Sequence, residues 1–230
     1  MAAEEQSSKR TKAWVALILN VAIVIMVAYA TVLMVTTTDN GPLAVAGEEA
    51  FKFYTVDSNV LEGIAALVSA LYGAKALFGK QADGASMAAP RWMELLKLTS
   101  TAAVTLTFLV VIFFLMPITG DFDSMYKGGN FFMHLVVPIL AVIVYAVVER
   151  PARSTRRERL ICLIPTVIYA VFYGINALTH IQDGAVPAAY DWYHFLAAGP
   201  WSFVIVAPLI LAINYLIVFV IDWLANRAIK

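Results

Sequence analysis

The sequence predicts an all-α integral membrane protein, a bundle of six transmembrane helices with both termini cytoplasmic. Three features lead to it. Of 230 residues, 61% are hydrophobic and only 14% charged, against about 45–50% apolar and about 25% charged in an ordinary soluble domain. Six apolar stretches, near 13–36, 53–78, 92–117, 130–148, 160–179 and 200–223, reach the roughly 17–25 residues that cross about 30 Å of hydrocarbon as a helix. Of the 16 lysines and arginines, all but Lys52 and Lys127 fall on one side of that arrangement or in its flanks. By the positive-inside rule that side, with both termini, is cytoplasmic.

The first stretch follows Lys9, Arg10 and Lys12, and Ala44-Val-Ala46 downstream resembles a leader-peptide cleavage site. Its apolar run exceeds the roughly 7–15 residues of a cleavable core, so an uncleaved first helix is expected. The second opens on the polar segment FYTVDSN, Phe53 to Asn59, and the third is apolar between Trp92 and Pro117. The fourth carries His134 and Pro138, the fifth Pro165 and the sixth Pro208. Each proline lacks an N–H and frees the carbonyl four residues earlier, those of His134, Ile161 and Val204. Long runs without period-2 alternation exclude a barrel, leaving helices as the way to satisfy every backbone group in lipid. Short linkers and the lack of an internal repeat give one domain, 1–230. Trp14, Trp92 and Trp223 mark the inner interface, and Trp192 and Trp201 the outer one.

Formal net charge is zero, which gives no reason to expect a nucleic-acid partner. Cys162 is the sole cysteine and forms no internal disulfide.

Polar side chains inside membrane helices are costly and usually functional. Thr55, Ser58, Asn59 and Glu62 recur at i, i+3, i+4 and i+7, one stripe of a helix that must face other helices. Glu62 lies about 10 Å deeper than Thr55 along that stripe, and Asp57 points off it toward solvent. Thr55, Ser58, Asn59, Glu62, His134, Asn176 and Thr179 all sit near the outer ends of their spans, so a site should open toward the outer leaflet. The alternative for Ser58 and Asn59 is that they glue helices together. At His134 a freed carbonyl and an imidazole share one spot, and the imidazole can act as a base near neutral pH. The loop from His180 to His194 adds histidines, aspartates and aromatics that fold over the bundle as a lid or form an interfacial belt.

His134, His180 and His194 are the histidines that a metal or haem could use. No closely spaced His pair lies on a helix, and Gly184 and Pro187 break the segment between the last two. No metal and no cofactor are expected. A rhomboid-type serine protease would want a Gly-x-Ser-x-Gly-like turn, which is absent.

Three segments in order, FYTVDSN at 53–59, NFFMHLVVP at 130–138 and PAAYDWYHF at 187–195, resemble the androgen-induced and androgen-dependent integral membrane protein family and its bacterial relatives. Animal members of that family are intramembrane threonine hydrolases of fatty acid esters of hydroxy fatty acids. The resemblance implies that Thr55 is the nucleophile and His134 its partner, the two positions the residues alone single out. A Thr hydroxyl needs an adjacent base to become nucleophilic, and the resulting oxyanion needs donors. Ser58, Asn59, Tyr190 and Tyr193 are the candidates, with Glu62 or Asp57 as orienter of His134. Asn176, His180, Tyr190, Tyr193 and His194 are expected to line the substrate pocket or lid. The expected substrate is a fatty-acyl ester drawn from the bilayer, in a bacterial plasma membrane. The competing expectation is a lipid or small-molecule binder, or a proton-coupled carrier, that uses Glu62 and His134 without turnover.

Overall fold

A computed structural model describes residues 2–37, 45–78 and 89–227. Ala44 of the cleavage-like tripeptide, Lys80 and Lys230 lie outside the described residues. Among the described residues, six helices are long and apolar enough to cross a membrane: α1 (Gln6–Thr36), α2 (Tyr54–Phe78), α3 (Arg91–Thr119), α4 (Gly129–Glu149), α5 (Arg156–Leu178) and α6 (Pro200–Asn226). No strand occurs among the described residues. The protein is a multi-pass, all-α membrane bundle.

The helices pack around α2 and α3. Helix α1 lies along α2 and also contacts α4, while α3 touches α2, α4, α5 and α6. Their outward faces remain apolar, with Ile25, Leu71, Phe113, Ile168 and Val204 each more than half exposed. Such faces suit a surround of lipid tails, and the polar side chains correspondingly turn inward.

Proline shapes four of the helices, and not all in the same way. Before Pro138 the chain widens into a π turn over Phe132–Val136, and before Pro117 into another over Val111–Leu115. The extra residue in a π turn accommodates the ring by widening the helix locally. Pro165 instead marks a break, with α5 interrupted between Ile161 and Ile164, whereas helical structure continues through Pro208. The basic end is tied down by side chains. Arg91 grips both carboxylate oxygens of Glu158 at 2.7 and 2.8 Å, and Thr155 and Glu158 form a capping box.

Two sequence expectations need correction. Lys97, counted among the basic flanks, is 2% exposed and buried against Glu62; no interfacial lysine would survive there without that partner. Trp192, expected in the outer interfacial belt, is folded into the bundle, where its indole N–H donates to Tyr169 Oη at 3.1 Å.

Candidate active site

Thr55 is the second residue of α2, directly after the point where the chain turns into the helix. The Phe53 carbonyl accepts from the N–H groups of Val56 and Asp57, which leaves the first two amides of the helix to find partners elsewhere. The N–H of Tyr54 finds one in Tyr193, donating to its hydroxyl oxygen at 2.8 Å. Tyr193 comes from the loop between α5 and α6, so this bond sets loop and helix against each other beside Thr55.

His134 enters from α4 inside the π turn. Its Nε2 lies 3.5 Å from Thr55 Oγ1, and its Nδ1 lies 2.8 Å from the carbonyl oxygen of Met125. A carbonyl only accepts, so Nδ1 carries the proton and Nε2 presents its lone pair to the threonine. Both side chains are buried. The hydroxyl–imidazole bond is long, as such bonds commonly are before a substrate tightens them.

Asn59 holds the pair in register. Its amide donates to the carbonyl of Thr55 at 2.8 Å and to that of Met133 at 3.2 Å, joining the backbones that carry the two side chains. With those bonds made, Asn59 is a clamp and not an oxyanion donor. Ser58 is likewise occupied, bonded to the Thr55 carbonyl at 3.2 Å and to the Thr107 hydroxyl at 3.0 Å.

The carboxylates fall elsewhere. Asp57 is exposed, in agreement with its off-stripe position. Glu62 is fully buried and accepts from Lys97 Nζ at 2.5 Å, from Ser100 at 2.6 Å and from Thr101 at 3.4 Å. Neither acid orients His134. That role belongs to the Met125 carbonyl, which residue types in the sequence cannot signal because every residue has a carbonyl.

Two cavities meet at Thr55. The larger, with an empty volume of about 680 Å³ counted to its open mouth, is lined chiefly by aliphatic and aromatic side chains of α3, α5 and α6, with Thr55 and Tyr193 in its wall. The smaller, about 370 Å³, holds His134, Asn130 and Met125 together with Thr55 and Tyr193. Thr55, Leu115 and Tyr193 belong to both, so the threonine hydroxyl sits in a partition with an apolar chamber on one side and the imidazole on the other.

The expected lid divides in two. Residues 191–193 and Leu196 are buried, and Asp191 anchors them by accepting from the Tyr173 hydroxyl and from the Leu196 N–H at 3.0 Å. His180 and Tyr190 stack on each other 3.8 Å apart at the surface, His194 is exposed, and Asn176 is half-buried. Of the five residues expected to line the pocket, Tyr193 alone lines either cavity. The others miss because only the 191–196 turn dips between α2 and α5: Asn176, His180 and Tyr190 lie outside it, and His194 within it is exposed. Met125, Asn130, Tyr54 and Tyr169 were not singled out from sequence, since aromatic and amide residues near a span end look the same whether they face lipid, water or a cavity. Among the described residues, no three His, Cys, Asp or Glu side chains converge in a way that could hold a metal.

No protein-family model, no curated protein and no solved structure matches this chain.

Proposed function

We propose that the protein is an intramembrane lipid esterase that cleaves a fatty-acyl ester through an acyl-threonine intermediate. The observation that carries this reading is the Thr55–His134 contact of 3.5 Å with the imidazole proton held on the opposite nitrogen by Met125. That is the arrangement a hydroxyl nucleophile and its base require.

In the proposed reaction, Thr55 Oγ1 attacks the ester carbonyl carbon as His134 Nε2 takes its proton. Negative charge moves to the carbonyl oxygen. The Tyr193 hydroxyl oxygen accepts from Tyr54 N–H, and in the proposed reaction its proton turns to that oxyanion. Burial raises the Tyr193 phenol, while Tyr169 and the amides of Tyr54 and Thr55 hold the rise to about 12; it stays protonated throughout the neutral range. Collapse breaks the bond to the alcohol oxygen, which receives the proton from His134. Water, deprotonated by the same nitrogen, then attacks the acyl-threonine, releasing a carboxylic acid and restoring Thr55. The apolar chamber suits the acyl chain, and the smaller cavity beside His134 suits the alcohol and then the water.

The positive-inside rule supports cytoplasmic termini and a site facing the outer leaflet, and the resemblance supports a bacterial plasma membrane and, as substrate, a fatty acid ester of a hydroxy fatty acid. A fluorophosphonate probe tests the nucleophile directly. Labelling of the wild type that disappears in a folded Thr55→Ala protein supports the reading; full ester turnover by that variant overturns it. The competing carrier would run protons between Glu62 and His134. Glu62 is instead engaged by Lys97, Ser100 and Thr101, which favours the esterase.

A further inference from the structure

The polar side chains that line the larger cavity include Thr55, Thr107 and Tyr193 at the partition, and Tyr169 and Tyr173, whose hydroxyls donate to the Lys52 carbonyl and to Asp191. A further polar cluster is contributed by three helices: Tyr54 from the start of α2, Thr166 from near the middle of α5, and Asn214 from near the middle of α6. Tyr54 and Thr166 both line the cavity, and their hydroxyl oxygens are 2.7 Å apart. Asn214 lies behind them, its amide donating to Thr166 Oγ1 at 2.7 Å, and its own oxygen is buried without a partner.

Tyr54, Thr166 and Asn214 are all buried. Neutral polar side chains buried between membrane helices are costly unless their hydrogen-bonding capacity is used. Counting hydrogens shows that it is not. Between Tyr54 and Thr166 there are two hydroxyl protons and one contact, and the Asn214 oxygen accepts neither. One O–H donor on a cavity-lining atom is therefore unspent. Turning the amide over lets Asn214 accept from Thr166, but then strands both of its N–H groups at the former oxygen position. In either orientation the cluster holds donors it cannot place within itself.

We propose that this cluster is a recognition subsite for a neutral oxygen, a hydroxyl or carbonyl carried part-way along the chain that occupies the cavity. The proposal rests on the reading of that cavity as the acyl chamber. It adds that the preferred chain is oxygenated at a defined distance from the end held at Thr55. An ionised carboxylate does not fit the subsite, since none of the cavity-lining residues is a Lys or Arg and a lone charge at that depth is not compensated by neutral donors. A plain alkyl chain leaves the donors unpaired, and sites built to bond an oxygen reject analogues that lack it.

Binding to the wild-type protein in detergent micelles tests this without any turnover. A fluorescent fatty acid is displaced by unsubstituted stearic acid and by a series of hydroxystearic and ketostearic acids with the oxygen moved along the chain. One oxygen position should bind about tenfold more tightly than stearic acid, the worth of one neutral hydrogen bond in a dry site. Thr166→Val and Tyr54→Phe should each flatten the series to within about twofold. A flat series with the wild type assigns the unspent donor to water and overturns the proposal, as does a preference that survives both substitutions. Should Thr166→Val fail to fold, Tyr54→Phe and the wild-type series decide. A positional preference in a protein that lacks Thr55-dependent hydrolysis would sink the esterase reading and leave the subsite standing.

Discussion

The Met125 carbonyl oxygen lies 2.8 Å from His134 Nδ1, and that one contact determines which face of the imidazole can act as a base. Serine hydrolases commonly give this task to a buried carboxylate. A carbonyl fixes the same tautomer without placing a second charge in a low-dielectric site, though it stabilises the imidazolium less. Nitrogen-15 NMR of His134 in the folded protein should show the Nδ1–H tautomer at neutral pH, and the Nε2–H form would refute the assignment.

Removal of either member of the pair should abolish catalysis with little loss of fold. Thr55→Ala and His134→Ala are each expected to lower ester hydrolysis by about 100- to 10,000-fold, the usual contribution of a positioned base and its nucleophile. Thr55→Ser keeps the hydroxyl and should retain measurable activity. Thermal melts recorded beside the rates separate chemical loss from unfolding.

Tyr193→Phe removes the proposed oxyanion donor and should cost about 100- to 1,000-fold in kcat, with a smaller effect on KM. It also strands the Tyr54 N–H, so a modest drop in stability accompanies it. The phenol gives a pH signature as well. Its folded pKa, about 12, lies above the usual value of 10, so its contribution to stability is fully present below pH 10 and is lost as pH rises through about 12. Alkaline unfolding midpoints should shift less steeply over that window in Tyr193→Phe than in the wild type.

Lys97 and Glu62 offer a test that is independent of catalysis. Lys97→Met leaves the carboxylate of Glu62 buried without its cation and should destabilise the bundle by about 3–5 kcal/mol. The double variant Lys97→Met with Glu62→Leu should recover most of that, because an apolar pair avoids the desolvation both charges suffer. A double-variant melt no better than the single one would show that the ion pair is favourable in its own right.

Gly129 begins α4 five residues before His134, and a Cβ added there would meet the Ala30 carbonyl oxygen at 2.9 Å and Met34 at 3.0 Å. The carbonyl belongs to a helix backbone and cannot rotate away, so Gly129→Ala should push α4 from α1. A loss of about 1–3 kcal/mol in stability is expected, with a fall in activity as His134 withdraws from Thr55.

Several particular residues mark how far the sequence could be read. Thr55 and His134 were legible because a hydroxyl and an imidazole in apolar spans are conspicuous, and the i, i+3, i+4, i+7 spacing already placed Asn59 on the same face as Thr55. Lys97 was misplaced because, four to six residues inside a span end, a lysine can either reach back to the interface or turn inward. The rotation of α3 against α2 chooses between these.

The amino-acid sequence by itself determined that this chain spans a membrane six times as helices, since apolar length and the hydrogen-bonding needs of a backbone in lipid allow little else. It also determined that the few polar groups within those helices must gather inside the bundle. Which of them meet was decided by tertiary structure alone. Helix rotation paired Glu62 with Lys97 instead of His134, a backbone carbonyl with no residue identity became the orienter, and one turn of the last loop brought Tyr193 to Thr55 while leaving Tyr190 and His194 outside. Each of those contacts depends on the relative depth and facing of separate helices, and no short-range pattern along the chain encodes either.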